Sequence, residues 1–171
     1  MPPFMTRSLL FALTVLCLVA CDSGEPGKMS LSEYEGPEGE AIVRHMLAHL
    51  PPIDPAVPKV YTVVKGEKLQ STRMSFVQRF DDLKIMFISG EVLTMRDPDK
   101  SIIDPRSGLA PVIIQLADLK RSGGDTFEAI AGWGYKKTWE RYHYKLAKTA
   151  NGYEVKQTER VEGNYVREAL K

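Results

Sequence analysis

The chain has 171 residues, 43% hydrophobic and 9% aromatic, with 23 Lys plus Arg against 22 Asp plus Glu and two cysteines. That length favours one hydrophobic core over two complete domains, and a mean hydropathy of -0.23 excludes a multi-span membrane protein. A net charge of +1 excludes a generic nucleic-acid binder, and two cysteines exclude a four-thiolate zinc site and a disulfide-rich scaffold.

In chain order, the first feature is an apolar run of 12 residues, Leu9 to Ala20, with no charge between Arg7 and Cys21. A spanning helix needs about 20 apolar residues, whereas a secretory signal needs only about 7–15 behind a positive charge. Arg7 supplies that charge, and a start at Met1 or at Met5 preserves the pattern. The run ends in Leu18-Val19-Ala20-Cys21, which resembles the lipobox of bacterial lipoproteins: a hydrophobic residue, two small ones and a cysteine. The resemblance implies that the Cys21 thiol carries diacylglycerol, that residues 1–20 are removed, and that the new N-terminus is acylated. Two or three acyl chains anchor a protein stably where one binds marginally. The plainer alternative is an ordinary signal peptide, or a buried helix that happens to end in Cys. The expectation is a protein attached to a membrane by lipid on Cys21 and lying outside the cytoplasm, on the periplasmic face. Asp22 resembles the inner-membrane retention signal of enterobacteria-like lipoproteins, and reads equally as the first polar residue of a linker.

From Asp22 to Glu40 the composition turns to Gly, Ser, Pro and acid, with six acidic residues against Lys28 alone, a net of -5. Such a stretch buries little apolar surface, so residues 21–36 are expected to be a flexible acidic tether reaching about 50 Å when extended. Residues 37–171 are then a single globular domain. Its first element is a helix, with Pro37, Glu38 and Glu40 in the first turn and Pro51-Pro52 as the stop; Ile42, Met46, Leu47 and Leu50 form its apolar stripe.

Beyond the connector from Ile53 to Pro58 the pattern predicts strands over 59–65 and 84–89, with a short helix over 74–83 between them. Turns at 96–100 and 104–108 flank Ser101-Ile102-Ile103. Strands follow over 111–116, 125–136, 138–148 and 152–160, with hairpin turns at Ser122-Gly123-Gly124 and Ala150-Asn151-Gly152. In the third of these, Tyr142, Tyr144 and Leu146 share the packed face, and Trp139, Arg141, His143 and Lys145 the wet one. A helix followed by a meander predicts an α+β fold with a mostly antiparallel sheet.

Candidate chemistry is sparse. His45 and His49 lie four apart, but Met46 stands where the zincin pattern needs Glu, so no metal is assigned. Asp97-x-Asp99-x-Ser101 opens like a calcium loop but has Ile102 at the glycine position and Gly108 at the closing acid. No nucleophile elbow, P-loop or dinucleotide fingerprint is present, so no catalytic residue and no cofactor is assigned. The wet face of the 138–148 strand, with Trp139, Arg141 and His143, is the candidate ligand contact; aromatics filling a core are the plain reading of the wider group around Trp133, Tyr135 and Tyr144. Residues 41–171 carry 21 basic and 16 acidic residues, a net of +5. Lys136, Lys137, Arg141, Lys145 and Lys148 are concentrated on two neighbouring strands.

The order Phe76-x-x-Arg79-Phe80, Ile103-Asp104-x-x-Ser107-Gly108-x-x-x-Val112-Ile113-Ile114, Phe127-Glu128-Ala129, Trp133-x-Tyr135, Tyr142-x-Tyr144-x-Leu146 and Gly152-Tyr153-Glu154-Val155 resembles a loosely defined group of secreted bacterial proteins of unknown function. A helix followed by a Tyr-rich strand and a closing Gly-aromatic-x-Val strand is also similar to cystatin-like or nuclear-transport-factor-like domains, which implies a curved sheet around helices. The functional expectation is a lipoprotein whose domain binds a protein or small-molecule ligand at the cell envelope, and no nucleic acid. A small hydrolase-like envelope enzyme with dispersed residues, and an inhibitor or immunity-type lipoprotein using the 96–108 loop, are the alternatives.

Overall fold

The structure is a computed structural model that describes residues 26–96 and 101–166, with the backbone alone at 95, 96 and 101. The lipobox-like segment expected at residues 18–21, Asp22 and residues 97–100 of the predicted turn and calcium-like loop lie outside the described residues. Within them the class is α+β, a mixed sheet of many strands with two α-helices.

Residues 26–36 do not form a free tether. Gly27–Lys28 (β1) pairs antiparallel with Arg121 and Lys120, and Tyr34 and Glu35 are buried at the start of the helix that follows. The acidic composition concealed three apolar residues, Met29, Leu31 and Tyr34, all of which pack on the core. Pro37–His49 (α1) starts from an extended Gly36 with Pro37 in its first turn. It lays Ile42, Val43 and Met46 across the sheet and partly buries Leu47 and Leu50.

Val60–Lys65 (β2) turns into Gln70–Ser71 (β3). Met74–Val77 (α2) continues as a 3-10 helix over Gln78–Leu83, burying Phe76, Val77 and Phe80. The strand predicted over 84–89 is reduced to one bridge: Tyr61 N donates to Met86 O and Ile88 N to Tyr61 O, both at 2.8 Å. Lys84 in the left-handed conformation and a 3-10 turn at Gly90–Val92 bound the segment too closely for a longer ladder. Thr94–Arg96 (β4) and Ser101–Ile103 (β5) pair with each other, apart from the main sheet.

The long meander is Pro111–Gly123 (β6), Thr126–Tyr135 (β7), Thr138–Thr149 (β8) and Gly152–Gly163 (β9). The strand order is β3-β2-β6-β7-β8-β9, with β1 on the same edge of β6 as β2. All pairs are antiparallel except β2 with β6, which run parallel from Val60↔Pro111 to Lys65↔Leu116. The chain therefore leaves β2 and returns in the same direction after the whole 66–110 excursion. Bulges interrupt β6 between Leu116 and Asp118 and the β8–β9 ladder near Tyr142. One core joins α1, Tyr34, Phe76 and Phe80 to the inner residues of β6, β7 and β8.

Candidate functional site

Register across the sheet puts residues distant in sequence into rows. On the outer face one row runs Thr62, Ile113, Gly134, Trp139, and the next runs Gln115, Gly132, Arg141. The two rows have different fates, and the glycines decide it.

At Gly132 the absent side chain lets Arg141 lie flat over the sheet; a Cβ there would sit 2.6 Å from the Arg141 Cγ. Arg141 Nε and Nη2 donate to Gln115 Oε1 at 3.2 and 2.9 Å, and Nη1 donates to Glu67 and Glu162 at 3.1 and 2.9 Å. Gln115 Nε2 in turn donates to Gly66 O. The guanidinium thus ties β8 to β6, to β9 and to the β2–β3 turn. Its charge is matched by two carboxylates, which makes it a brace and leaves little of it for a ligand.

At Gly134 the absent side chain opens a trough between Ile113 and Trp139. This is the floor of a cleft of about 920 Å³. Ile102 and Ile103 of β5, with Leu109 and Ala110 of the following loop, make an aliphatic wall. That loop is held by the Asp104 carboxylate, which accepts from the Arg106 and Ser107 backbone N–H groups and from the Ser107 hydroxyl at 2.6 Å. The Ser107 hydroxyl foremost, with these N–H groups, holds the Asp104 carboxyl below the usual carboxylate range. The far end of the cleft is the tight β7–β8 turn, where Lys136 adopts a left-handed backbone and Asn164 Nδ2 donates to Lys137 O.

Lysines dominate that end. Lys59 and Lys136 both sit over the Tyr135 ring, at 5.6 and 5.0 Å from its centroid. Lys136 reaches Asp54 only at 3.7 Å. Lys137 lines the cleft, is exposed, and has no side-chain partner among the described residues. Trp139, 37% exposed, faces the same space, while Trp133 at 6% is core.

The three residues expected to make one ligand contact are brought together only in part: the Arg141 guanidinium lies over the Trp139 ring, 5.9 Å from its centroid, and His143 stands apart. Trp139 lines the cleft, Arg141 braces the adjoining row, and His143 lies farther along β8, opposite Ile130, with Nε2 3.7 Å from Glu159. The reading of the strand faces missed Ile113, Gly134 and the β5 isoleucines as neighbours of Trp139. Only the exposure of Trp139 and the Lys136-Lys137 pair were visible signals.

Two other concave places are weaker sites. Beside α1 and β9 a cleft of about 610 Å³ contains Glu40, Arg44, His45 and Tyr153. Arg44 is held by Glu40 and Asp82, and Tyr153 donates to Glu38 at 2.6 Å, so most of its charge is already matched. His45 stacks on His49 with ring centroids 4.2 Å apart; burial, then His49, lowers its pKa. His49 Nδ1 is occupied by His45 O at 2.7 Å. Among the described residues no group of three or more His, Cys, Asp or Glu is placed to hold a metal ion. On the inner face Glu140 is buried, accepting from Trp133 Nε1 at 3.0 Å and from the Tyr142 hydroxyl at 2.8 Å. The adjoining gap measures about 10 Å³, room for about one water.

The chain matches no protein-family model, no curated protein and no solved structure. No described helix is long and apolar enough to cross a membrane.

Proposed function

We propose that this chain is a bacterial lipoprotein, anchored through acylated Cys21, whose domain is a ligand-binding module at the cell envelope with the Trp139 cleft as its site. The observation that carries the binding role is the exposed Trp139 beside an aliphatic trough, with exposed Lys137, which has no side-chain partner among the described residues, on the same lining. Ligand sites are commonly apolar concavities with a few polar groups that fix orientation.

The packed 26–36 segment changes how the anchor would work. From Cys21 to Pro26 the chain spans at most about 18 Å, well short of the reach expected of a tether running to residue 36. The domain would therefore ride close to the membrane, with the β6–β7 hairpin end, next to β1, nearest the lipid.

Mass spectrometry of the membrane fraction tests the anchor. The expected product begins at Cys21 and carries acyl chains, and Cys21→Ser abolishes both the lipid and the cleavage. Release from Cys21→Ser of a mature chain of unchanged size overturns this reading. For the site, Trp139→Ala is expected to cost less than about 3 kcal/mol, the lower end for truncating a fully buried aromatic, because Trp139 is 37% exposed. A larger loss would place Trp139 in the core instead.

A further inference from the structure

We infer that the Trp139 cleft binds a single-chain amphiphile with an anionic head, its alkyl body in the trough over Gly134 and its head at Lys137. This rests on reading the cleft as the ligand site, and it is independent of the anchor at Cys21.

Shape is the first argument. Ile113 and Trp139 flank Gly134 on neighbouring strands, so their Cα atoms stand about 10 Å apart, two strand spacings. With hydrogen alone on Gly134, the space between the two side chains suits an alkyl chain or a similarly narrow apolar body. Ile102, Ile103 and Leu109 extend the same chemistry along one wall. These side chains offer no hydrogen bond, so the body they take is apolar.

Charge is the second. At the turn end Lys136 and Lys137 line the cleft, with the Asp54 carboxylate 3.7 Å from Lys136, while Lys59 beside them donates to the backbone carbonyls of Asp54 and Val57. Among the described residues the other acids nearby are engaged: Asp104 with its own loop, Glu67 and Glu162 with Arg141. An anionic head at the end of the trough meets a net positive field and an available ammonium; a cationic head meets repulsion.

The test uses the protein as the cell makes it, in lipid nanodiscs if acylated and in buffer if not, with empty nanodiscs as the blank. Octanoate, its neutral isostere octanamide and octylammonium are titrated by calorimetry and tryptophan fluorescence. Octanoate is expected to saturate, octanamide to bind about fivefold more weakly, and octylammonium not to saturate. Lys137→Glu lowers octanoate affinity about tenfold and leaves octanamide binding unchanged. Gly134→Leu fills the trough and abolishes binding of both; its first added carbon meets nothing closer than 3.6 Å. Trp139→Phe keeps binding and removes the fluorescence change, which assigns the signal. The inference is overturned if octanoate fails to saturate, if octanamide binds as well, or if Gly134→Leu binds normally. It is overturned also if binding appears only after residues 167–171 are removed, since the chain would then cover its own cleft. Should Gly134→Leu lose its melting transition, Lys137→Glu and the three-ligand series decide the matter alone.

Discussion

Glu35 shows how much a single residue can hide in an acidic stretch. It is buried, and its carboxylate accepts from Lys65 and from both the side chain and the backbone N–H of Arg73. Burial pushes its carboxyl pKa up, but the bonds from Lys65 and Arg73 outweigh that and hold it below the ordinary value of 4.5. A carboxyl lowered by folding stabilises the protein fully above its unfolded pKa, and that stability is lost as the pH falls through the lower folded value. Glu35→Gln is therefore expected to cost about 2 kcal/mol at pH 7, the scale of a charged hydrogen bond, because Lys65 is left largely buried without its anion. Urea melts of the two proteins should converge as the pH falls below about 4.5. A gap that stays constant down to pH 3 would show that the carboxylate is not what holds the segment. Nothing local in the sequence distinguishes Glu35 from Glu33 or Glu38, since its partners are 30 and 38 residues away.

At the scale of elements, β7 carries two glycines of the same apparent kind with opposite roles. A Cβ on Gly132 would fall 2.2 Å from Glu140 O and 2.6 Å from Arg141 Cγ, whereas one on Gly134 meets only ordinary contacts. Gly132→Ala is expected to destabilise by about 1–3 kcal/mol, as overpacking does. Gly134→Ala should stay within about 0.5 kcal/mol, as a substitution with room around it does. Chemical denaturation of both variants checks this, and equal effects would refute the register on which the two rows depend. The strands themselves were legible. Alternation located β7, β8 and most of β9 to within a few residues and placed Tyr144 and Leu146 inside. It stopped short on β6, predicted to end at Leu116 and observed to Gly123, because the bulge at Leu116/Asp118 breaks the two-residue period. It made a full strand of 84–89, where β propensity is real but only Tyr61 is available to pair.

For the whole molecule, the boundary of the domain is the measurable quantity. Tyr34 is fully buried, its hydroxyl donating to Asp118 at 3.2 Å and accepting from Leu119 N at 3.0 Å. Tyr34→Ala should cost about 3–5 kcal/mol, the scale of truncating a buried aromatic. A tether residue would leave the melting curve unchanged, so thermal denaturation distinguishes the two. The sequence by itself determined the features that local pattern encodes: the apolar run ending in Leu18-Val19-Ala20-Cys21, the strands of the meander, and the inner face of β8. These depend on neighbours a few residues apart, where periodicity and turn chemistry act. Only the tertiary structure decided that β2 lies parallel to β6, that residues 26–36 belong to the core, and that Arg141 braces while Trp139 lines a cleft. Each of these depends on strand order and register, which bring Ile113, Gly134 and Trp139 into one row. A single strand's side-chain alternation carries no information about which strand will lie beside it.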